Sequence, residues 1–82
     1  MSKYLPLQLH LEGLKAGTWK ASFSEIEKIL GAPLPRSARV HREWWANDRS
    51  AHVQSHYWMK AGWRTEVVDV ASERVTFERV SQ

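Results

Sequence analysis

Apolar residues in the first third of the chain recur at helical spacing. An interval of three or four residues separates Tyr4, Leu7, Leu11 and Leu14. This spacing predicts an amphipathic helix, and Pro6 is tolerated in its first turn. Thr18–Ala21 predicts a short strand. Ser22 and Glu25 have the spacing of a capping box, so a second helix is expected to begin there and to stop at Gly31.

Two more helices and a hairpin are predicted in the rest of the chain. A proline in the first position predicts a third helix over Pro35–Trp45. Ser50 is placed to cap a fourth helix that runs to Ala61. Trp63–Val70 and Arg74–Val80 are rich in β-forming residues with partial alternation, and they predict the two strands of a hairpin.

The resulting order is helix, strand, three helices and two strands. Without the fourth helix this is the order of a winged helix, in which a helix-turn-helix pair precedes a β-hairpin wing. The third helix, Pro35–Trp45, would enter the major groove in that arrangement. We therefore expect residues 1–82 to form a single α+β domain that is winged-helix-like, with three to four helices and a C-terminal β-hairpin.

Composition narrows the chemistry that the chain can perform. Its 82 residues include five tryptophans and no cysteine, which excludes disulfides, thiolate nucleophiles and cysteine-based zinc sites. Gln8, His10 and Glu12 interrupt the apolar N-terminal stretch, so it lacks the continuous run of a signal peptide or a membrane span. We expect a cytoplasmic protein without a membrane partner.

Positive charge is concentrated in the middle of the sequence. The net charge of the chain is +3. Residues 1–32 contribute +1, residues 33–64 contribute +4 and residues 65–82 contribute −2. Most of the positive charge in the middle third comes from arginine. A local field of this kind attracts anionic partners more strongly than the net charge suggests.

Residues 34–50 combine this charge with aromatic and amide side chains. The segment, LPRSARVHREWWANDRS, contains Arg36, Arg39, Arg42, Trp44, Asn47 and Arg49. Guanidinium groups bind phosphate and read guanine, aromatic rings stack on bases, and asparagine pairs with adenine. On the predicted third helix the first three arginines share one arc, where Glu43 is expected to pair with Arg39 four residues earlier. The segment therefore predicts a nucleic-acid surface on a basic helix.

The hairpin completes the predicted nucleic-acid site. Its tip, around Ser72–Arg74, would be the wing, with Arg74 as the groove or phosphate contact. The predicted contacts are Arg36, Arg39, Arg42, Trp44, Asn47, Arg49 and Arg74. The resulting expectation is a DNA-binding module whose partner is double-stranded DNA rather than RNA.

A protein partner is the alternative interpretation of the same residues. Tryptophan and arginine are also the favoured anchors of protein interfaces. The hairpin third of the chain is acidic, which suits a protein contact better than a phosphate contact. The alternative is therefore a small interaction or inhibitor module, phage- or plasmid-borne, that binds its partner through Trp44 and the arginines. A homodimer anchored by an exposed tryptophan is also open.

No residue pattern in the chain indicates catalysis. Ser37 and His41 lie four residues apart without an orienting carboxylate or an oxyanion loop. His52 and His56 have the spacing of a helical metal pair, but Val53 stands where metalloproteases have glutamate. We therefore expect a protein that is not an enzyme and that carries no cofactor and no metal site.

Three motifs resemble a known family. FSEIEKILGAPLPRSAR, WWAND and WMKAGW before the terminal hairpin resemble a widespread family of small uncharacterised bacterial domains. The resemblance runs from about Tyr4 to Arg79, and LPxSAR with WWxN carries its specificity. Members of this family occur alone and fused to other domains, some of which are connected with nucleic-acid processing. The resemblance implies one compact domain and no catalytic residue.

Overall fold

The computed structural model of the protein describes residues 3–48 and 52–80. Within these ranges the chain forms four α-helices and three β-strands in the predicted order. The elements are α1 (Leu5–Gly13), β1 (Thr18–Ser22), α2 (Phe23–Leu30), α3 (Arg36–Val40), α4 (Val53–Lys60), β2 (Trp63–Asp69) and β3 (Arg74–Arg79). A 3₁₀ helix, Arg42–Trp45, follows α3. The expected fold class, a small α+β fold with a C-terminal hairpin, is confirmed.

The three strands form one antiparallel sheet in the order β1-β3-β2. β3 lies in the centre, where it pairs with β1 on one side and with β2 on the other. Alternate side chains point toward the helices, so Ala21, Val75 and Phe77 are buried. β2 is an edge strand with a shift of register between Thr65 and Val67. The sheet thus has one covered face and one outer face of mainly polar residues.

The second helix begins and ends as its sequence predicts. The Ser22 hydroxyl accepts a hydrogen bond from the Glu25 amide at 3.1 Å, and the Glu25 carboxylate accepts one from the Ser22 amide at 2.8 Å. This reciprocal pair is the predicted capping box. Gly31 ends the helix in the left-handed region, with a φ of 73°, which a residue without Cβ adopts at no steric cost.

The predicted third helix is interrupted at residue 41. An α-helix spans Arg36–Val40 only, because His41 adopts an extended backbone with a φ of −116° and a ψ of 114°. The chain then turns through the 3₁₀ helix Arg42–Trp45. In a continuous α-helix the Ala38 carbonyl would accept the amide four residues later. Here the Trp45 indole N–H donates to that carbonyl at 2.9 Å, and the break lets this ring enter the core.

Helices α1, α2 and α4 cover the inner face of the sheet. α1 packs against both other helices, and α4 also packs against β2, as does the 3₁₀ helix. The buried hydrophobic core consists of Leu7, Leu11, Ala21, Phe23, Ile26, Leu34, Ala38, Trp45, Trp58, Trp63, Val75 and Phe77. The three large indole rings among them explain how so short a chain buries enough apolar area. Trp45, Trp58 and Trp63 are each at most 1% exposed.

The fourth helix begins with Val53, and His52 occupies its N-cap position without a side-chain cap. The expected cap, Ser50, lies outside the described residues. The Ser55 hydroxyl donates to the carbonyls of Asp48 at 2.6 Å and of His52 at 3.1 Å, which fixes the first turn. In the described part of the chain no helix has the length and apolarity that crossing a membrane requires.

Candidate nucleic-acid interface

Arg39, in the middle of the predicted basic segment, is bonded within the fold. Its Nη1 donates to a carboxylate oxygen of Glu73 at 2.6 Å, and its Nη2 donates to one of Glu27 at 2.7 Å. The expected pairing with Glu43 is wrong, because the break at residue 41 removes the helical spacing on which it depended. The hydrogen bonds to Glu27 and then to Glu73 raise the pKa of Arg39 above its usual value. The guanidinium thus ties α3 to α2 and to the hairpin tip.

Of the two carboxylates that accept from Arg39, that of Glu27 is held by a further hydrogen bond. The carboxylate oxygen that accepts from Arg39 also accepts the Leu34 amide at 2.7 Å. The hydrogen bond from Arg39, followed by that from Leu34, lowers the pKa of Glu27 below its ordinary value. The Glu27 carboxylate on α2 therefore holds both the loop at Leu34 and the helix α3 in place. This geometry gives the second arginine of LPRSAR a structural role.

Asn47 completes the edge of the sheet. Its Nδ2 donates to the Thr65 carbonyl at 3.0 Å, and its Oδ1 accepts the Thr65 amide at 2.9 Å. The same Oδ1 accepts the Trp58 indole N–H at 2.9 Å. The side-chain amide therefore pairs with β2 as a neighbouring strand would. Both ends of the amide are engaged in the fold, although Asn47 is an exposed residue.

The two adjacent tryptophans lie in different environments. Trp45 is 1% exposed and stacks between Phe23 and Trp58, with ring centroids at 5.0 and 6.0 Å. Trp44 is half-buried and packs at the margin of the core. Its ring meets that of Tyr4 edge-on at 6.0 Å. Trp44 is therefore the member of the pair that solvent, or a partner, can reach.

Three of the predicted contact arginines are exposed. Arg36 lies on α3, Arg42 lies in the 3₁₀ helix, and Arg74 is the first residue of β3. Within residues 3–48 and 52–80 none of the three forms an ion pair with an acidic side chain. Arg49 lies outside the described residues. These three cations therefore differ from Arg39, whose guanidinium is already paired with two carboxylates.

Helix α4 presents a second set of polar and aromatic side chains. Its exposed or half-buried polar, aromatic and aliphatic residues include Val53, His56, Tyr57 and Lys60. Spacings of three, four and seven residues place these four on one side of a helix, and we call them the outer stripe. Gln54, Ser55 and Trp58, on the opposite side, are buried. The stripe carries a cation, an imidazole and a phenol and no carboxylate.

Aromatic contacts connect the outer stripe with the 3₁₀ helix. The Tyr4 ring lies 6.4 Å from the Tyr57 ring and 6.0 Å from the Trp44 ring. The Lys3 ammonium lies 5.4 Å from the centre of the Tyr4 ring. The Gln54 side chain donates to the Trp44 carbonyl at 2.8 Å. The buried Tyr4 ring and the buried Gln54 side chain therefore connect the 3₁₀ helix with α4, and the Lys3 ammonium lies beside the Tyr4 ring.

A sequence signal for α4 exists but is weaker than the arginine motif. The two longest stretches without aspartate or glutamate are residues 28–42 and residues 49–65. The first contains the arginines that the motif displays. The second surrounds α4, and its positive charges are two arginines and one lysine, with two histidines between them. Absence of acidic residues, rather than density of arginine, is the signal that points to this helix.

A cleft of about 400 Å³ lies between the 3₁₀ helix and the edge strand β2. Its walls include Arg42, Glu43, Asn47, Glu66 and Val68. Because residues of both charges line the cleft, it favours neither an anion nor a cation as a ligand. In the described ranges no group of three or more histidine, aspartate or glutamate side chains is arranged to hold a metal ion.

One protein family matches nearly the whole chain. The model of a domain of unknown function (DUF7662) matches residues 4–81. A search of curated proteins and a search of solved structures found no significant match. The extent of the family match agrees with that of the resemblance carried by the LPxSAR and WWxN motifs.

Proposed function

The chain belongs to the DUF7662 family of domains of unknown function, and we propose that it binds double-stranded DNA as a winged-helix-like module. In this proposal α4, rather than α3, is the helix that enters the major groove. The outer stripe faces the bases, and the exposed cations around it contact phosphates.

The place of α4 in the fold carries the proposal. α4 packs against α1 and leads directly into the β2–β3 hairpin, in a sheet of order β1-β3-β2. In a winged helix the recognition helix has this place, directly before the hairpin. In this proposal the short α3 and the 3₁₀ helix are an insertion between α2 and α4, which correspond to the two helices of a helix-turn-helix and which both pack against α1.

The outer stripe has side chains that suit a major groove. Lys60 and His56 bring N–H groups for the N7 and O6 acceptors of guanine, and the methyl groups of Val53 suit the thymine methyl. The Tyr57 ring and hydroxyl add an amphipathic contact beside them. No acidic residue on α4 repels the phosphates that border the groove.

The residues predicted from the sequence take two different roles under this proposal. The exposed or undescribed cations that stay as phosphate contacts are Arg36, Arg42, Arg49 and Arg74. Trp44 is half-buried, its ring is linked to that of Tyr57 through the buried Tyr4 ring, and it remains a proposed contact for a sugar or a base. In the free protein the polar groups of Arg39 and Asn47 already have protein partners, so neither is available to DNA without an exchange of partners.

Binding to labelled duplex DNA, followed by fluorescence anisotropy, tests the proposal. We expect saturable binding at about 50 mM salt that weakens about tenfold or more at about 200 mM salt, because each phosphate contact steepens the salt dependence. Lys60→Glu is expected to weaken binding by about tenfold or more, since it replaces a donor to the groove with a carboxylate.

Lys20→Glu is the matched control for this variant. Lys20 is exposed on β1 between two residues that face the core, so its side chain lies on the outer face of the sheet. The same change in net charge at this distant position is expected to alter affinity by less than about threefold. No saturable binding at low salt, or an equal loss in both variants, would contradict the proposal.

A protein partner is the second candidate, and the edge strand favours it. Val67 on β2 is 62% exposed, and the cleft lies beside the same strand. An extended segment of a partner can add to such an edge through main-chain hydrogen bonds beyond Thr65, whose own main-chain groups already pair with Asn47. Phosphate contacts give steep salt dependence, whereas an interface centred on apolar and main-chain contacts is much flatter, so salt response separates the two candidates.

A further inference from the structure

Arg39 lies between two carboxylates that are held to different degrees. Glu27 has a side chain that is 21% exposed, and it is fixed by the Leu34 amide as well as by Arg39. Glu73 has a side chain that is 52% exposed, and among the described residues Arg39 is its one side-chain hydrogen-bond partner. The three charges add up to −1. The Glu27 carboxylate is therefore held firmly in the fold, whereas the Glu73 carboxylate can leave the Arg39 guanidinium without disturbing the fold.

A phosphate oxygen suits the position that the Glu73 carboxylate occupies. The planar guanidinium group binds carboxylate and phosphate with the same donor geometry. Arg36 lies three residues before Arg39 on α3, which places both side chains on the same side of the helix. Arg36 is exposed, so a second cation lies beside the one that Glu73 neutralises.

We propose that Arg36 and Arg39 form a phosphodiester-binding site that the Glu73 carboxylate covers in the free protein. The inference rests on the proposed function, since it takes a DNA phosphate as the natural ligand of this site. On binding, the phosphate oxygen replaces the Glu73 carboxylate on Arg39, while Glu27 keeps its hydrogen bond. The carboxylate turns into solvent, and no covalent bond changes.

The backbone of the hairpin tip allows this exchange without refolding. Glu73 has a positive φ of 57°, and its carbonyl accepts the Phe23 amide at 2.9 Å. Its own amide donates to the Val70 carbonyl at 3.2 Å. These main-chain hydrogen bonds hold the tip against the start of α2, so only the exposed Glu73 side chain has to move.

Glu73→Gln tests the inference, with Glu66→Gln as its control. Glu66 lies on the same hairpin and pairs with Arg64 at 2.5 Å, so both variants remove one negative charge and one arginine–carboxylate ion pair. For Glu73→Gln we expect affinity for duplex DNA at low salt to rise about three- to tenfold. The slope of log affinity against log salt concentration should also be steeper, by the amount expected for about one more phosphate contact. For Glu66→Gln we expect a change of less than about twofold. An equal effect of the two variants would overturn the inference.

A second measurement separates this inference from the proposed function. Millimolar pyrophosphate is expected to raise the melting temperature of Glu73→Gln more than that of the wild type or of Glu66→Gln, because a ligand of the native state stabilises it. If no variant binds DNA but pyrophosphate stabilises Glu73→Gln selectively, the proposed function fails and the anion site stands. If the wild type binds DNA and Glu73→Gln matches Glu66→Gln in both assays, the anion site fails.

Discussion

Replacing Trp45 with alanine is expected to lower the free energy of unfolding by about 3–5 kcal/mol. The indole stacks between Phe23 and Trp58, so its removal leaves a cavity between these two rings. It also leaves the Ala38 carbonyl without the donor that the break in the third helix provides. A domain of 82 residues has a total stability of about 4–12 kcal/mol, so the variant is expected to lose a large fraction of its stability.

Trp44→Ala is the control that the sequence itself offers. The two residues are identical and adjacent, but Trp44 is half-buried and lies at the margin of the core. We expect Trp44→Ala to lower the free energy of unfolding by only about 1–2 kcal/mol, because the Trp44 side chain buries less area than that of Trp45. Urea unfolding followed by far-ultraviolet circular dichroism measures both losses. Equal losses would contradict the different environments assigned to the two rings.

Asn47→Asp is expected to destabilise the protein by about 2–4 kcal/mol at neutral pH. The substitution is nearly isosteric, but it replaces the Nδ2 donor with an oxygen that faces the Thr65 carbonyl. A negative charge would then lie beside a main-chain oxygen at the edge of the sheet. The loss is expected although Asn47 is an exposed residue, because its contacts, not its buried area, hold β2 to the loop.

The pH dependence of this variant provides an internal control. Protonation of the introduced carboxyl group restores a donor toward the Thr65 carbonyl. The stability difference from the wild type should therefore shrink as the pH falls to about 4, where carboxyl groups begin to protonate. The urea midpoint at both pH values measures this difference. An unchanged midpoint at neutral pH would show that the paired amide contributes little to the fold.

Local signals in the sequence predicted most of the secondary structure. The capping box of Ser22 and Glu25, the stop at Gly31 and the hairpin strands all depend on residues close together in the chain, and the structure confirms them. The break at His41 could not be predicted in this way. It depends on the fit of the Trp45 ring into a core that includes Phe23 and Trp58, which are distant in sequence.

The arginine motif shows why residue types alone do not distinguish contact residues from structural ones. Arg39 meets its two carboxylates across 12 and 34 residues of chain, so no local pattern reveals that it is engaged. Asn47 meets Thr65 across 18 residues. The same residue types that contact nucleic acid also make buried and bridging hydrogen bonds inside proteins. Only the three-dimensional arrangement separates Arg36 and Arg42 from Arg39.

The role proposed for α4 rests on topology more than on its own composition. Its eight residues carry a single lysine, so its sequence alone resembles an ordinary surface helix. Chain order already places α4 directly before the hairpin. The structure adds two features on which the proposal also rests, the sheet order β1-β3-β2 and the packing of α4 on α1. These features become visible only when strand pairing is known.

Amide chemical-shift mapping with a short DNA duplex tests the central proposal most directly. A titration of ¹⁵N-labelled protein is expected to perturb most strongly the amides of Val53–Lys60 and of Lys3 and Tyr4 beside them. The amides of Asn47 and Thr65, which pair within the fold, should change little. Perturbation confined to the cleft around Glu66 and Val68, or no perturbation at low salt, would contradict α4 as the DNA-contacting helix.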